Sequence, residues 1–218
     1  MKIPKEIINQ IPDSKVTQDI NQRIEKFKTY LIDENNTLDL IIDRYLLFGT
    51  PYLFEDNEDS YFSLKAEIAD FFKIKQTQVY IVGSAKLGFS ISPNKRFKHF
   101  DEESDIDVAV IDSGLFLQYW RKLYKEITDP SLLARSTNEE KAFIEFKNYF
   151  FKGWLRPDKF PMKYRTEWFD FFSGITRKYD YHVAAGIYRD YEFFSSYNAY
   201  NLLNLRNLLK EEHFRNDE

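Results

Sequence analysis

The sequence predicts an α+β fold: a small mixed β-sheet packed with helices, preceded by an N-terminal helical extension. Three observations carry this expectation. Apolar residues recur at three- and four-residue steps through most of the chain, the period of helices with one buried face. Two short runs, QVYIV and DIDVAVI, break that period with β-branched residues and, in the second, strict alternation. The expected order is helices, strand, short helix, strand, helices, strand, helix, which fits one mixed sheet with helices against it.

The first helical stretch is SKVTQDINQRIEKFKTYLIDENNTLDLIIDRYLLF, where Val16, Ile20, Ile24, Phe27 and Leu31 fall on one face. Ser14 is the expected N-cap, and DENN divides the stretch into two helices. GTPYLFEDNEDS reads as a connector from its Gly, Pro and acids. SYFSLKAEIADFFKI is again helical, with Phe62, Leu64, Ile68, Phe71 and Phe72 apolar. QVYIVGS reads as a buried strand ending at Gly83, and AKLGFS as a helical turn or short helix beginning near Ser84. SPNKRFKHFDEES is a polar loop. In DIDVAVI, Asp105, Asp107 and Ala109 share one face of a strand, and Ile106, Val108 and Val110 share the other. SGLFLQYWRKLYKEI, with Ser113 as its cap, and STNEEKAFIEFKNYFFKGW read as helices. RPDKFPMK is a loop, RKYDYHVAAGIY a strand, and RDYEFFSSYNAYNLLNLRNLLKEE a closing helix. We divide the chain into an extension, 1–57, and a main domain, 58–218.

Composition bounds the function classes. The 218 residues are 43% hydrophobic and 18% aromatic, enough to bury a core. The net charge of −4 disfavours a globally basic nucleic-acid binder and leaves room for a local basic patch. The absence of cysteine excludes disulfides and cysteine-held zinc, and fits a reducing compartment. No signal-peptide core opens the chain, and no run approaches the ~20 apolar residues of a membrane helix. The expectation is a cytoplasmic protein without membrane contact.

The strand end at Gly83–Ser84 and the acids of the next strand belong together chemically. Glycine permits close backbone approach to a phosphate, Ser84 adds a hydroxyl and Lys86 a positive charge. Asp105 and Asp107, two apart on a strand, project from one face and offer the hard oxygens that Mg²⁺ takes alongside phosphate and water. An acid-x-acid pair alone carries little: with 35 acids, such pairs recur by chance, as at Asp56/Glu58 and Asp190/Glu192. The weight lies in the combination, charges at the mouth of an otherwise buried strand just after a Gly-Ser turn.

At these residues the sequence resembles the nucleotidyltransferase superfamily, whose catalytic fold is that of DNA polymerase beta. The resemblance rests on VGS at 82–84 and DIDV at 105–108, within GSAKLGFS…SDIDVAVI, a phrasing closest to uncharacterised bacterial members. It spans roughly residues 60–195. It implies a polymerase beta-like sheet, with Gly83 and Ser84 holding the β- and γ-phosphates of a nucleoside triphosphate, beside the charge expected from Lys86, and Asp105 and Asp107 binding two Mg²⁺ ions. The implied reaction transfers a nucleoside monophosphate to an acceptor hydroxyl on RNA, protein or nucleotide, with release of pyrophosphate. A setting in bacterial toxin–antitoxin or phage-defence systems, with a partner protein of the same operon, is implied as well.

Two departures accompany the resemblance. The spacer between Ser84 and Asp105 is longer than is usual in the family. Its Lys95, Arg96 and Lys98 form either a basic lip or a solvated loop facing Asp101, Glu102 and Glu103. Active members also carry a third carboxylate on a later strand. Asp180, sharing a face with His182, Ala184 and Gly186 of the expected strand, is the candidate, with Glu145 second. His182 reads as a general base or as a structural histidine, and Tyr188, Tyr191 and Arg189 as nucleotide contacts or as helix-start surface. Without a third acid, the alternative is a degenerate module that senses nucleotide or binds a protein.

Overall fold

The computed structural model describes residues 13–128, 137–159 and 164–216. Among them are eight α-helices and one four-stranded mixed sheet. In chain order these are α1 (Asp13–Ile32), α2 (Leu38–Ile41), α3 (Glu58–Phe72), β1 (Val79–Val82), α4 (Gly83–Leu87), β2 (Ile106–Ile111), α5 (Ser113–Ile127), α6 (Thr137–Phe151), β3 (Trp154–Leu155), α7 (Tyr164–Tyr179), β4 (Val183–Tyr188) and α8 (Tyr191–Asn216). A π-helical turn, Ile42–Leu47, continues α2. The side chains of Ser14 and Val16 lie outside the described ones, as do residues 160–163 of the expected loop.

The sheet order is β1-β2-β4-β3. β1 runs antiparallel to β2, β2 parallel to β4, and β3 antiparallel to β4. The register places Val82 opposite Asp107, Asp107 opposite Ala184 and Trp154 opposite Tyr188.

Because side chains alternate along a strand, the sheet has two unlike faces. Val79, Ile81, Ile106, Val108, Val110, Val183, Ala185 and Ile187 enter one core. α3 covers it with Leu64, Ile68 and Phe72, α5 with Leu115, Phe116 and Leu123, and α7 with Trp168, Phe172 and Ile175. On the other face Ala109 and Tyr188 meet a second core, supplied by Phe27 and Leu31 of α1, Ile41 and Leu46 around α2, and Phe194, Leu202 and Leu205 of α8. The N-terminal helices thus share a core with α8 and the sheet. Arg23 ties α1 to the following connector through a two-pronged contact with Glu55, 2.9 and 2.6 Å.

Local chemistry accounts for the element ends. Asn57 caps α3 by accepting from the Ser60 N–H at 3.0 Å, and Lys73 ends it in the left-handed region. At α5 the expected cap Ser113 is the first helical residue; the capping side chain is that of Asp112, which accepts from the Leu115 N–H at 2.5 Å and also meets Gln78.

Two elements depart from the expectation. α7 occupies residues without an expected element and continues through Tyr179, so β4 begins at Val183 rather than near Arg177. The aromatic cluster Phe72–Trp168–Phe172 decides this: only a helix brings Trp168, Phe172 and Ile175 together onto the sheet. β3 is two residues long, too short to leave a period in the sequence.

Lys86 corrects another expectation. Its side chain is buried, and its ammonium donates to the carbonyls of Phe48 (2.6 Å) and Gly49 (2.7 Å) just after the π-helical turn. It locks that turn to α4 and does not line the cavity described below. Burial lowers its pKa to about 8. Lys86→Met leaves two carbonyls unpaired and should cost about 1–3 kcal/mol in urea unfolding. Since the unfolded lysine titrates near 10.5 and the folded one near 8, the unfolded state binds more protons between these values. The wild type should therefore gain stability relative to the variant as pH rises from about 8 towards 10.5.

Candidate functional site

Where β1 ends and β2 begins, the second face of the sheet is left open. A cavity of about 470 Å³ lies there, in the size range of small-molecule sites. Gly83, Ser84, Asp105 and Asp107 all line it.

Antiparallel pairing makes this meeting. Gly83 follows Val82, the partner of Asp107, and has φ +68°, in the region open to glycine. A Cβ built on Gly83 would stand 2.7 Å from Asp107 Oδ2. The glycine is thus required twice, by its backbone and by the carboxylate pressed against it. Gly83 opens the five-residue α4, which Gly88 ends at φ +86°; Ser84 is its second residue, and its hydroxyl has no hydrogen-bond partner among the described residues.

Asp107 is the most perturbed acid of the site. Its side chain is exposed at the open cavity, and the protein close around the carboxylate removes part of its hydration. That desolvation, reinforced by neighbouring Asp105, pushes its pKa up to about 6. Arg156, His182 and Lys95 pull it the other way from further off. Among the described residues no hydrogen bond or ion pair reaches Asp107. Asp105 is exposed too and meets the His182 ring, Nδ1 to Oδ1 3.1 Å.

The rest of the wall is basic and aromatic. Lys95 and Lys98 line the cavity from the long spacer. Lys98 also pairs with Asp101 at 2.8 Å and Arg96 with Glu212 at 2.7 Å, so the spacer is lip in part and solvated loop in part. Opposite stands Arg156, held by Asp158 at 2.8 Å, with its guanidinium 5.6 Å from the Trp154 ring centre. Trp154 stacks on Tyr188, centroids 5.7 Å apart and planes 3° from parallel, and Tyr197 packs beside it at 5.1 Å. The indole lies across Gly186 so closely that any Cβ there would collide with it, and its N–H is buried without a partner.

The third-acid candidates lie elsewhere. Asp180 is an exposed turn residue at φ +59°, between the end of α7 and β4, and does not line the cavity. The helix overrides the strand there because Trp168, Phe172, Ile175 and Tyr179 bury against the sheet. Glu145 is exposed on α6. The position beside Asp107 on β4 is Ala184. Among the described residues the cavity lining holds no carboxylate besides Asp105 and Asp107, and no group of three or more histidine, cysteine, aspartate or glutamate side chains is placed to hold a metal. Tyr191 binds Asp43 at 2.7 Å, away from the cavity. Arg156, Trp154, Tyr197 and Asn201 are lining residues that the sequence did not single out; nothing in their local pattern marks them, since Trp154 lies in a two-residue strand, Arg156 follows it, and Tyr197 and Asn201 lie on one face of α8.

Two outcomes test this geometry. Asp107→Asn removes a desolvated charge. Because the folded carboxyl titrates near 6 and the unfolded one near 3.8, the wild type loses stability as pH rises through that window. The variant should match it near pH 4 and melt about 2–4 °C higher above pH 6.5, for a penalty of about 1 kcal/mol once the opening to solvent is allowed for. Gly186→Ala should displace Trp154 and lower stability by about 1–3 kcal/mol, read as a lower melting temperature and altered tryptophan fluorescence. No helix among the described residues is long and apolar enough to cross a membrane, and the chain matches no family model, no curated protein and no solved structure.

Proposed function

We propose that the cavity is a nucleoside triphosphate site of the nucleotidyltransferase type and that the protein is an Mg²⁺-dependent nucleotidyltransferase. The observation carrying this reading is the convergence of Gly83, Ser84, Asp105 and an unpaired Asp107 on one cavity with Lys95 and Arg156 in its wall. The sheet order supports a polymerase beta-like arrangement, since a Gly-Ser strand end lies antiparallel to the strand after Asp105.

The residues present fit a magnesium ion. Two oxygen-bearing side chains face one cavity, and an acid held near pKa 6 by desolvation gains from a cation beside it. With only two such carboxylates in the described lining, the shell is completed by substrate oxygens and water, the habit of Mg²⁺ at phosphate sites. Bound there, the metal supplies charge stabilisation at the phosphates. The protein's own parts are simpler. Gly83 leaves space for a phosphate, the Ser84 hydroxyl donates to it, and Lys95 and Arg156 offset its charge. The acceptor oxygen bonds to the α-phosphorus, the bond to the departing pyrophosphate breaks, and the acceptor proton passes to solvent. RNA, protein and nucleotide acceptors all fit this chemistry. The bacterial defence or toxin–antitoxin setting, with an operon partner, rests on the resemblance at 82–84 and 105–108.

One observation favours a second reading. The β4 partner of Asp107 is Ala184, which carries no acid, and the described lining holds only two carboxylates, which suits a module that binds a triphosphate without transferring it. Incubation with each radiolabelled triphosphate, Mg²⁺, and RNA and protein acceptors separates the two. Turnover that falls by about 10²-fold or more in Asp105→Ala and Asp107→Ala supports the enzyme. Metal-dependent binding without pyrophosphate release supports the module, and no binding of any triphosphate rejects both.

A further inference from the structure

A second cavity, about 790 Å³, opens on the outer side of α8. It shares Tyr197 and Asn201 with the first, so the two meet at one wall. We propose that together they form a groove for a single-stranded polynucleotide, whose end lies in the first cavity and whose preceding nucleotides lie along α8. This rests on the nucleotide reading only for the end that reaches Asp107.

The lining of the second cavity has the two components that strand binding needs: cations for phosphates and aromatic faces for bases. Lys152 and Arg189 are exposed at its rim. Lys152 has no acidic partner within ion-pair distance among the described residues, and its ammonium sits 5.8 Å from the Tyr197 ring centre. Arg189 lies 5.2 Å from the Phe193 ring centre and keeps only a loose contact with Asp190 at 3.7 Å. Five lysines and arginines and three acids line the two cavities, in a chain whose net charge is −4. Two of those acids are the pair that a divalent cation would neutralise. The groove is therefore a basic feature on an acidic protein, as a polyanion requires.

Helical geometry sets the aromatic spacing. Phe193, Tyr197 and Tyr200 fall at i, i+4 and i+7 on one face of α8, and Tyr200 is 68% exposed. Seven residues at ~1.5 Å rise span about 10 Å, the length of about three nucleotides at ~3.4 Å each. Phe193 is fixed by packing on Gly153, where any Cβ would collide with its ring, and Gly153 accepts the Arg189 N–H at 2.9 Å. The Arg189 guanidinium lies over that ring, so the face a base stacks on is the exposed Tyr200 ring beside this fixed pair. An acidic peptide would use the same cations and leave the aromatic face unused, which is why the strand is favoured over a protein acceptor.

Anisotropy of fluorescent oligo-dT and oligo-U strands of about ten nucleotides, between roughly 50 and 200 mM salt, tests the groove, with binding of a labelled triphosphate in Mg²⁺ measured in parallel. Lys152→Ala/Arg189→Ala should weaken both strands about tenfold and reduce the log–log salt slope by about 1.4. Tyr200→Ala should weaken them about fivefold or more. Both variants should keep wild-type melting temperature and triphosphate affinity, because none of the three residues lines the first cavity. Strand binding unchanged in both variants overturns the groove, as does polyglutamate or an acidic peptide bound as tightly as the strands. Strand binding lost in the variants while no triphosphate binds the wild type supports the groove and rejects the nucleotide reading; triphosphate binding with indifferent strands rejects the groove alone.

Discussion

The site depends on one contact: the Gly83 backbone pressed against the Asp107 carboxylate where β1 and β2 pair. The pairing puts the end of one strand beside the start of the next, with Val82 opposite Asp107. A side chain at position 83 would enter the space held by Oδ2, 2.7 Å from a Cβ. A shift by one residue would turn Asp107 into the core of Val108 and Ile106 and expose those residues instead. The hydrophobic alternation of β2 thus fixes the register, and the register fixes the site.

The two faces of the sheet explain how a charged pair survives beside an aromatic-rich interior. One face is closed by α3, α5 and α7, and its strand residues are aliphatic. The other is closed by α1, α2 and α8 around Ala109 and Tyr188, and the cover stops short of Asp107. An ionised carboxylate in the first core would cost far more than the fold has to spare. At the edge of the second it keeps one open side, at the cost of a raised pKa. The small residues Ala184 and Gly186 continue that opening across β4, and Trp154 fills it at the far end.

Trp154, Tyr188 and Tyr197 form one aromatic cluster. The parallel stack of Trp154 on Tyr188 and the tilted contact with Tyr197 join β3, β4 and α8. Arg156 beside the indole brings a positive charge to the wall facing the acids. The cluster also joins the two cavities, since Tyr197 belongs to both linings. Lys86, by contrast, is a brace: its two carbonyl contacts hold the π-helical turn against α4.

The sequence by itself determined the α+β class, the helices α1 and α3, the buried face of α1 from Ile20 to Leu31, the strands β1 and β2 and the outward phase of Asp105 and Asp107, but not that Phe62 of α3 stays exposed. All of these are written in local periodicity and in one Gly-Ser turn, which need no knowledge of neighbours. Tertiary structure decided the rest. It extended α7 through Tyr179 and left Asp180 exposed in a turn, because burial of Trp168 and Phe172 outweighs the strand-like run that follows. It buried Lys86 against carbonyls 37 and 38 residues away. It assembled Trp154, Arg156 and Tyr197 into the cavity wall from a strand too short for a period, the residue after it, and a helix whose apolar residues run all round. Spacing within an element follows from backbone geometry, whereas meetings between elements follow from packing of distant side chains, and no local pattern records those.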